Sequence, residues 1–328
     1  MSSEKSPLAA VGVDLGGTNL RAARIENGVL LGEPKYVPTP DSPEKIVEAL
    51  INLIRAHIDE KVCGVGIATA GVVNCDTGEV VGSTGNLPGW AGTKIREVVE
   101  ASVDLPVHVE NDANAAAYAE AKQDDLKDKR CIVAITFGTG IGGGIVMDGN
   151  LLHGRGWAAG EIGHMSIALD DSRLCTCGLH NCWEAYGSGR GLKATALEIL
   201  DGVSPDQTKL ADLLEDISTY EIIEEMKGGD EYARKIFDKW HDHLAVGIVN
   251  LTHIMNPDCF VVSGGLGEVV DLELLRDKVC ARTLHNLAET VEIRSSQLDT
   301  NAGLIGAAWC VVDRVLSCRE VGSAAGTR

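Results

Sequence analysis

Three thiols crowd into the run Cys175-Thr-Cys177-Gly-Leu-His-Asn-Cys182-Trp-Glu184, a density that packing alone does not explain. A Cys-x-Cys pair puts two sulfurs on one side of a tight turn, and Cys182 closes the loop. Tetrahedral zinc then needs one more ligand. His164, in Gly160-Glu-Ile-Gly-His164-Met and eleven residues before Cys175, is the candidate. Cys63, Cys75, Cys131, Cys259, Cys280, Cys310 and Cys318 sit mostly inside apolar runs and read as buried small hydrophobes. Three Cys and one His fill the tetrahedron and leave no position for water, so the metal reads as a scaffold and not as a reacting centre. Glu161 and Glu184 flank it, and carboxylates anchored beside a rigid knuckle suit the hydroxyls of a sugar, which must be met at fixed angles.

The rest of the chain sets apolar strands against glycine turns. Leu8 to Leu15 stops at Gly16-Gly17-Thr18, as a buried strand feeding a loop would. From Ser42-Pro43-Glu44, the spacing of Ile46, Val47, Leu50, Ile51, Ile54 and Ile58 follows one helical face, with Ser as N-cap and Pro at the first position. CGVGIATAG from Cys63 and VHVEND from Val107 read as strands, and ANAAAYAEA from Ala113 as a helix. CIVAITF from Cys131 runs into Gly138-Thr139-Gly140 and then a hairpin turning at Asp148-Gly149. A long helix from about Tyr232 to Asn256 is halted by Pro257, CFVVSGG follows as a strand ending in glycines, and Gly303 to Leu316 is a final apolar helix. The acidic stretch from Asp201 to Asp230 reads as a solvated helical insertion.

Strands alternating with helices predict an α/β protein with a largely parallel sheet. The half that opens at Cys131 repeats the logic of the half that opens at Leu8, which predicts two related domains facing one cleft. A length of 328 residues suits two domains, and 38 glycines with only 4% aromatics fit many strand-to-helix loops. The net charge of -19, without a basic patch, opposes phosphodiester backbones and anionic lipid, so neither nucleic acid nor membrane is an expected partner. Ten cysteines without a disulfide-like pattern, a polar Met1 to Ser6 and no apolar run of spanning length point to the cytoplasm.

Asp14-Leu-Gly16-Gly17-Thr18-Asn19-Leu-Arg21 puts a carboxylate at a strand end, then residues whose backbone amides can approach phosphate oxygens. Thr18 and Asn19 add donors, and Asp14 can hold the Mg2+ of a nucleotide through water. With Gly138-Thr139-Gly140 and Ser263-Gly264-Gly265, three glycine loops can surround a nucleoside triphosphate, Gly264 and Gly265 taking the adenosine end. Neither a Walker loop nor a Rossmann Gly-x-Gly-x-x-Gly fits these turns. In Glu110-Asn111-Asp112-Ala-Asn114 a strand hands over to a helix, where Asp112 is either a general base or the cap of that helix. Asn86, in Gly85-Asn86-Leu-Pro88, is a further candidate contact.

DLGGTNLR, ENDANAAA, FGTGIGGG, AGEIGHM and CTCGLHNCWEAYGSG, in this order and spacing, resemble the ROK family of sugar kinases, repressors and uncharacterised open reading frames, over about Val11 to Ala308. The resemblance is nearest to the family's bacterial ATP-dependent glucokinases, with Asn181 where the family usually has Gly and Trp183 where Leu or Ile is common. It implies a two-domain actin-like, hexokinase-like (duplicated ribonuclease H-like) ATPase fold with a zinc knuckle. The implied boundaries are residues 8–118 plus a returning helix at 303–320 for a small N-terminal domain, and 119–302 for a larger C-terminal one. It implies ATP with Mg2+, structural Zn2+ on His164, Cys175, Cys177 and Cys182, and a homodimer. Asp112 becomes the base for the C6 hydroxyl of a hexose held by Gly71, Asn86, Asn111, Glu161, His164 and Glu184. Asp14, Gly16, Gly17, Thr18, Asn19, Arg21, Thr139, Gly140, Gly264 and Gly265 take the nucleotide.

Glucose phosphorylation is the leading expectation, with N-acetylmannosamine kinase or another ROK hexose kinase as the alternative. A sugar-responsive repressor, the family's other branch, needs a helix-turn-helix before the first strand, and seven residues precede Leu8 in this sequence.

Overall fold

The computed structural model describes residues 8–82, 87–170, 172–214 and 216–325. Its elements in chain order are β1 (Ala9–Leu15), β2 (Asn19–Glu26), β3 (Val29–Pro38), α1 (Pro43–Arg55), β4 (Val62–Thr69), β5 (Val72–Asn74), β6 (Glu79–Gly82), α2 (Ile95–Val103), β7 (Val107–Asn111) and α3 (Asp112–Ala121). Then come β8 (Cys131–Phe137), β9 (Ile141–Met147), β10 (Asn150–Leu151), α4 (Glu184–Gly187), α5 (Gly189–Leu200), α6 (Thr219–Gly228), α7 (Glu231–Met255), β11 (Cys259–Ser263), α8 (Leu272–Cys280), α9 (His285–Ala288), β12 (Ile293–Ser295) and α10 (Ala302–Ala325).

Packing divides the chain into one unit of Met1–Asp128, Gly144–Gly160 and Gln297–Arg328 and a second of Lys129–Gly143 and Glu161–Ser296. The first unit is therefore the longer one, because it takes in the stretch around β10 as well as the last helix. That stretch is drawn in by close packing on α3, where a Cβ at position 144 would meet Ala117 and the Ala113 carbonyl.

In the first unit the strand order is β3-β2-β1-β4-β7. β1 pairs with β4 and β4 with β7 in parallel, but β1–β2 and β2–β3 are antiparallel. The sheet is thus mixed and not largely parallel, because the glycine turn after β1 reverses the chain into β2 instead of delivering it to a helix. Val11, Val13 and Leu15 pack with Ile46, Leu50 and Ile54 of α1 and with Ile95 and Val99 of α2, while Ala10 packs with Leu304, Ala308 and Val311 of α10. Both faces of β1 are covered, which is why its run is apolar without alternation. Ser42 caps α1, its hydroxyl accepting from Lys45 N at 3.5 Å, with Pro43 at the first helical position. On the other face α10 lies against β4 and α3 through small residues, Ala68, Ala115 and Ala307 forming the contact. A Cβ at Gly66 or Gly306 would collide with the carbonyls of Ala307 and Ala115, so α10 can approach this closely only over glycine. The effect is to press the start of α3 against a fixed support.

The second sheet has the order β10-β9-β8-β11-β12, and the second unit holds β8, β11, β12 and β9 as far as Gly143. β8, β11 and β12 run parallel. α7 is the main support, its face of Ile236, Phe237, Trp240, Leu244, Ile248 and Leu251 buried. Asp230 caps it, accepting from Ala233 N at 2.8 Å, and Asn256 ends it in the left-handed region at φ 42° before Pro257. The acidic stretch forms a short 3-10 turn at Lys209–Leu213 and α6, anchored by buried Leu210, Ile217 and Ile222. Among the described residues no helix is long and apolar enough to cross a membrane.

Candidate functional site

In the first unit β7 ends at Asn111 and α3 begins at Asp112 with no connecting residue. Asn111 is the cap: its Oδ1 accepts from Asn114 N at 3.0 Å, while its Nδ2 donates to the Gly71 carbonyl at 3.0 Å and to Asp112 Oδ1 at 3.1 Å. The alternative in which Asp112 caps the helix is therefore ruled out. Asp112 occupies the first helical position, and its Oδ1 also accepts from Ala113 N at 2.9 Å. A carboxylate held by two donors in the first turn of a helix is kept in one orientation, as a general base requires. Gly71, Asn111 and Asp112 are thus brought together, whereas Asn86 lies outside the described residues.

The turn between β1 and β2 is closed by Gly16 N donating to the Asn19 carbonyl at 3.0 Å. Thr39 braces it through its hydroxyl on the Gly16 carbonyl at 2.7 Å and its amide on the Thr18 carbonyl at 2.9 Å. Gly17, Thr18 and Asn19 are exposed. Asp14 is half-buried at the strand end, with Arg21 Nη2 on its Oδ2 at 2.5 Å and on the Thr300 carbonyl at 2.6 Å. Arg21 is thereby committed to holding Asp14. Position 303 of α10 lies directly behind that carboxylate, where a Cβ would meet it at 3.3 Å.

In the second unit the four predicted zinc ligands meet. One ligand atom from each of His164, Cys175, Cys177 and Cys182 lies within 4.8 Å of all the others, with Cys177 and Cys182 sulfurs 3.6 Å apart and His164 Nδ1 3.8 Å from Cys175 Sγ. Zinc bonds of about 2.3 Å to sulfur and about 2.0 Å to nitrogen imply tetrahedral edges of about 3.5–3.8 Å. The donor set and its spacing therefore fit zinc. Burial, and then the hydrogen bonds between the thiols, push the Cys182 thiol up to about 12 without a metal, and a zinc ion held there would supply the positive charge that deprotonates such a thiol. The ring engages the thiols through Nδ1, leaving Nε2 3.8 Å from Glu161 Oε2.

Backbone and side chains shape this loop without the metal. Cys175 N donates to the Leu179 carbonyl at 2.8 Å and Gly178 N to the Cys175 carbonyl at 3.0 Å. Asn181 sits at φ 57°, in the region glycine adopts freely and Asn tolerates. Its buried amide uses that position: Oδ1 accepts from Arg173 N at 3.1 Å and from the Tyr186 hydroxyl at 2.7 Å, and Nδ2 donates to Asp170 Oδ1 at 3.2 Å. Trp183 is fully buried, edge-on to Phe137 at 5.6 Å, with Nε1 on the His243 carbonyl at 2.9 Å. Both departures from the family pattern are thus built into the packing.

Glu184 joins the knuckle to the glycine turn after β8. Its Oε1 accepts from Thr176 Oγ1 at 2.8 Å and from Cys175 Sγ at 3.5 Å, and its Oε2 accepts from Ile141 N at 3.0 Å. A Cβ at Gly140 would collide with that Oε2, so this glycine admits Glu184. Gly264, at φ 86°, lets the turn after β11 reach the end of β8, where Leu266 N donates to the Phe137 carbonyl at 3.0 Å and Thr136 and Ser263 hydroxyls lie 3.1 Å apart. A Cβ on Gly265 would meet open space. Thr139, Gly140, Gly264 and Gly265 therefore belong to one pair of adjoining turns.

The sequence reading passed over Glu110 and His153. Glu110 is 1% exposed and bonds His153 Nε2 at 2.8 Å, and the only signal was a carboxylate at the inward position of a buried strand.

The ROK family model matches residues 10–314. A glucokinase of Streptomyces coelicolor is 36% identical over 309 residues, 91% of this chain and 96% of that protein. An N-acetyl-D-glucosamine kinase of Shigella flexneri is 32% identical over 78% of this chain and 83% of that protein. The crystal structure of a ROK family glucokinase from Streptomyces griseus in complex with glucose and AMPPNP superposes with a TM-score of 0.75 at 32% identity, over 93% of this chain and 99% of that one.

Proposed function

This chain belongs to the ROK family, and we propose that it is a hexose kinase that transfers a phosphoryl group from ATP to the C6 hydroxyl, with glucose as its preferred substrate. The observation that carries this reading is the Asn111–Asp112 turn, where one carboxylate oxygen is fixed by Asn111 Nδ2 and Ala113 N at the head of a helix. The glucokinase likeness over nearly the whole chain supports glucose over other hexoses.

In this reading Asp112 accepts the proton of the C6 hydroxyl as the hydroxyl oxygen attacks the γ-phosphorus, while the bond from that phosphorus to the β–γ bridging oxygen breaks and ADP leaves. The family resemblance assigns the hexose contacts to Gly71, Asn86, Asn111, Glu161, His164 and Glu184. His164, Cys175, Cys177 and Cys182 would hold Zn2+, which supplies rigidity and fixes the imidazole tautomer so that Nε2 faces the sugar beside Glu161. The amides around Gly16, Gly17, Thr18 and Asn19 and the turns at Thr139–Gly140 and Gly264–Gly265 receive MgATP, with Asp14, oriented by Arg21, meeting the magnesium through water. Phosphoryl transfer asks the protein mainly for position and charge stabilisation, which such amides and fixed carboxylates provide.

The test is an ATP-coupled assay on glucose, N-acetylmannosamine, N-acetylglucosamine, mannose, fructose and allose. A kcat/KM for glucose at least about tenfold above the rest, a difference of about 1.4 kcal/mol, is the expected result. Preference for an N-acetylated sugar would reassign the substrate, and phosphorylation of none would sink the kinase reading.

A further inference from the structure

Five polar groups converge on the Glu110 carboxylate. Its Oε1 accepts from Asn111 N at 3.0 Å and Asn114 Nδ2 at 3.1 Å; its Oε2 accepts from His153 Nε2 at 2.8 Å and Cys75 Sγ at 3.2 Å, with His108 Nε2 3.5 Å away. All lie in the first unit, yet they come from separate pieces of it: the turn after β5, strand β7, the first turn of α3 and the segment after β10. Burial pushes the Glu110 carboxyl up, but the histidine hydrogen bonds outweigh it and hold the group well below the usual carboxylate range. The same pairing raises His153. An ionised carboxylate in an interior is costly unless all its lone pairs are met, and an apolar residue there is often as stable or more so. Retaining the charge therefore calls for a return in geometry.

That return is visible in the turn itself. Glu110 Oε1 spans from the amide of Asn111 to the side chain of Asn114, the two ends of the cap that aims Asn111 Nδ2 at Asp112. Oε2 ties the same turn to His153, on the segment that runs from β10 through Trp157 to Gly160, the residue before Glu161. We propose that Glu110 is a positioning residue for phosphoryl transfer: one buried anion that fixes the Asn111–Asp112 turn and fastens to it, through His153, the segment leading to Glu161. This rests on the assignment of Asp112 as the base.

Glu110→Gln keeps the shape and one acceptor oxygen but presents an amide where the carboxylate took bonds from His153 and Cys75. With turnover assigned to a misaimed Asp112, kcat falls about thirty- to hundredfold, the scale of a displacement near 1 Å, while KM for hexose and for ATP shifts less than about threefold. His153→Gln lowers kcat less, about five- to tenfold, and adds nothing to Glu110→Gln, since both break one network. An imidazole NMR titration, with His153 identified by its loss in His153→Gln, gives a raised value that returns towards the ordinary one in Glu110→Gln. A merely structural role would lower the unfolding midpoint and leave kcat per folded site unchanged.

A folded Glu110→Gln that turns over within about threefold of the parent overturns the proposal, as does an additive double variant. If Glu110→Gln does not fold, His153→Gln and Cys75→Ala decide by the same kcat and KM split. Metal analysis that finds a second zinc per chain, lost in Cys75→Ala, would make Glu110 a ligand and also overturn it. Should the parent phosphorylate no sugar, the kinase reading fails, while the imidazole titration still shows whether Glu110 holds His153.

Discussion

The second unit gathers the groups proposed to face the sugar by short-range means: the four proposed zinc ligands run from His164 to Cys182, and Glu184 follows two residues later. In the first unit Asp112 is aimed by a turn whose anchor, Glu110, draws on Cys75 and His153, 35 and 43 residues away along the chain. A metal can fix a loop of few residues because each bond is strong and directional. A buried carboxylate needs several weak donors, and these must come from wherever the fold supplies them. The first arrangement should therefore fail as a unit when the metal leaves, and the second should lose aim step by step.

The largest effect expected is at the base. Asp112→Asn keeps an oxygen for Ala113 N, so the turn survives, but turnover falls about a hundredfold to ten-thousandfold while calorimetric hexose affinity stays within about threefold. Normal turnover would remove Asp112 from its role and leave the Glu110 anchoring without a reacting group to aim.

This contrast also explains what the sequence disclosed. The knuckle was readable because its ligands share one stretch and their types admit few other uses, and α1 and α7 because caps, Pro43 and Pro257 mark their ends. The antiparallel β1–β2 hairpin was not, since Gly16-Gly17-Thr18 can lead equally into a strand or a helix and only the pairing of Asp14 with Arg21 decides. Glu110 stood in plain view between two marked residues, but its partners are scattered, and no local pattern announces a carboxylate satisfied from afar.

Stripping zinc tests the other side. Metal analysis should find one zinc per chain, and its removal by chelation, or by Cys182→Ser, should weaken hexose binding about ten- to hundredfold and lower the unfolding midpoint. Metal-free protein that binds hexose with full affinity would show that the loop's own hydrogen bonds suffice to aim His164.

Gly140→Ala tests whether the turn proposed to receive MgATP also holds Glu184 for the sugar. In Gly140→Ala the new methyl displaces Glu184 Oε2, and the loss of a charge-assisted hydrogen bond from Ile141 N, about 1.5 kcal/mol, should raise the hexose KM about tenfold. If instead the KM for ATP rises and that for hexose does not, the glycine serves the nucleotide only and the contacts of Glu184 Oε1 with Thr176 and Cys175 suffice to hold that side chain.

The smallest effect concerns the knuckle's backbone. Asn181 holds a left-handed conformation and spends its amide on Arg173 N, Tyr186 and Asp170. Replacing it by Gly removes those bonds but keeps the conformation free of strain, and replacing it by Ala removes them and adds roughly 1 kcal/mol of left-handed strain. With zinc saturating, urea unfolding should rank the parent above Asn181→Gly and that above Asn181→Ala, the last gap being about 1 kcal/mol. Equal stability of Gly and Ala would mean that position 181 is not left-handed in solution. A glycine variant as stable as the parent would mean that the metal alone shapes the loop, which would sharpen the contrast with the many-partner anchoring of Glu110.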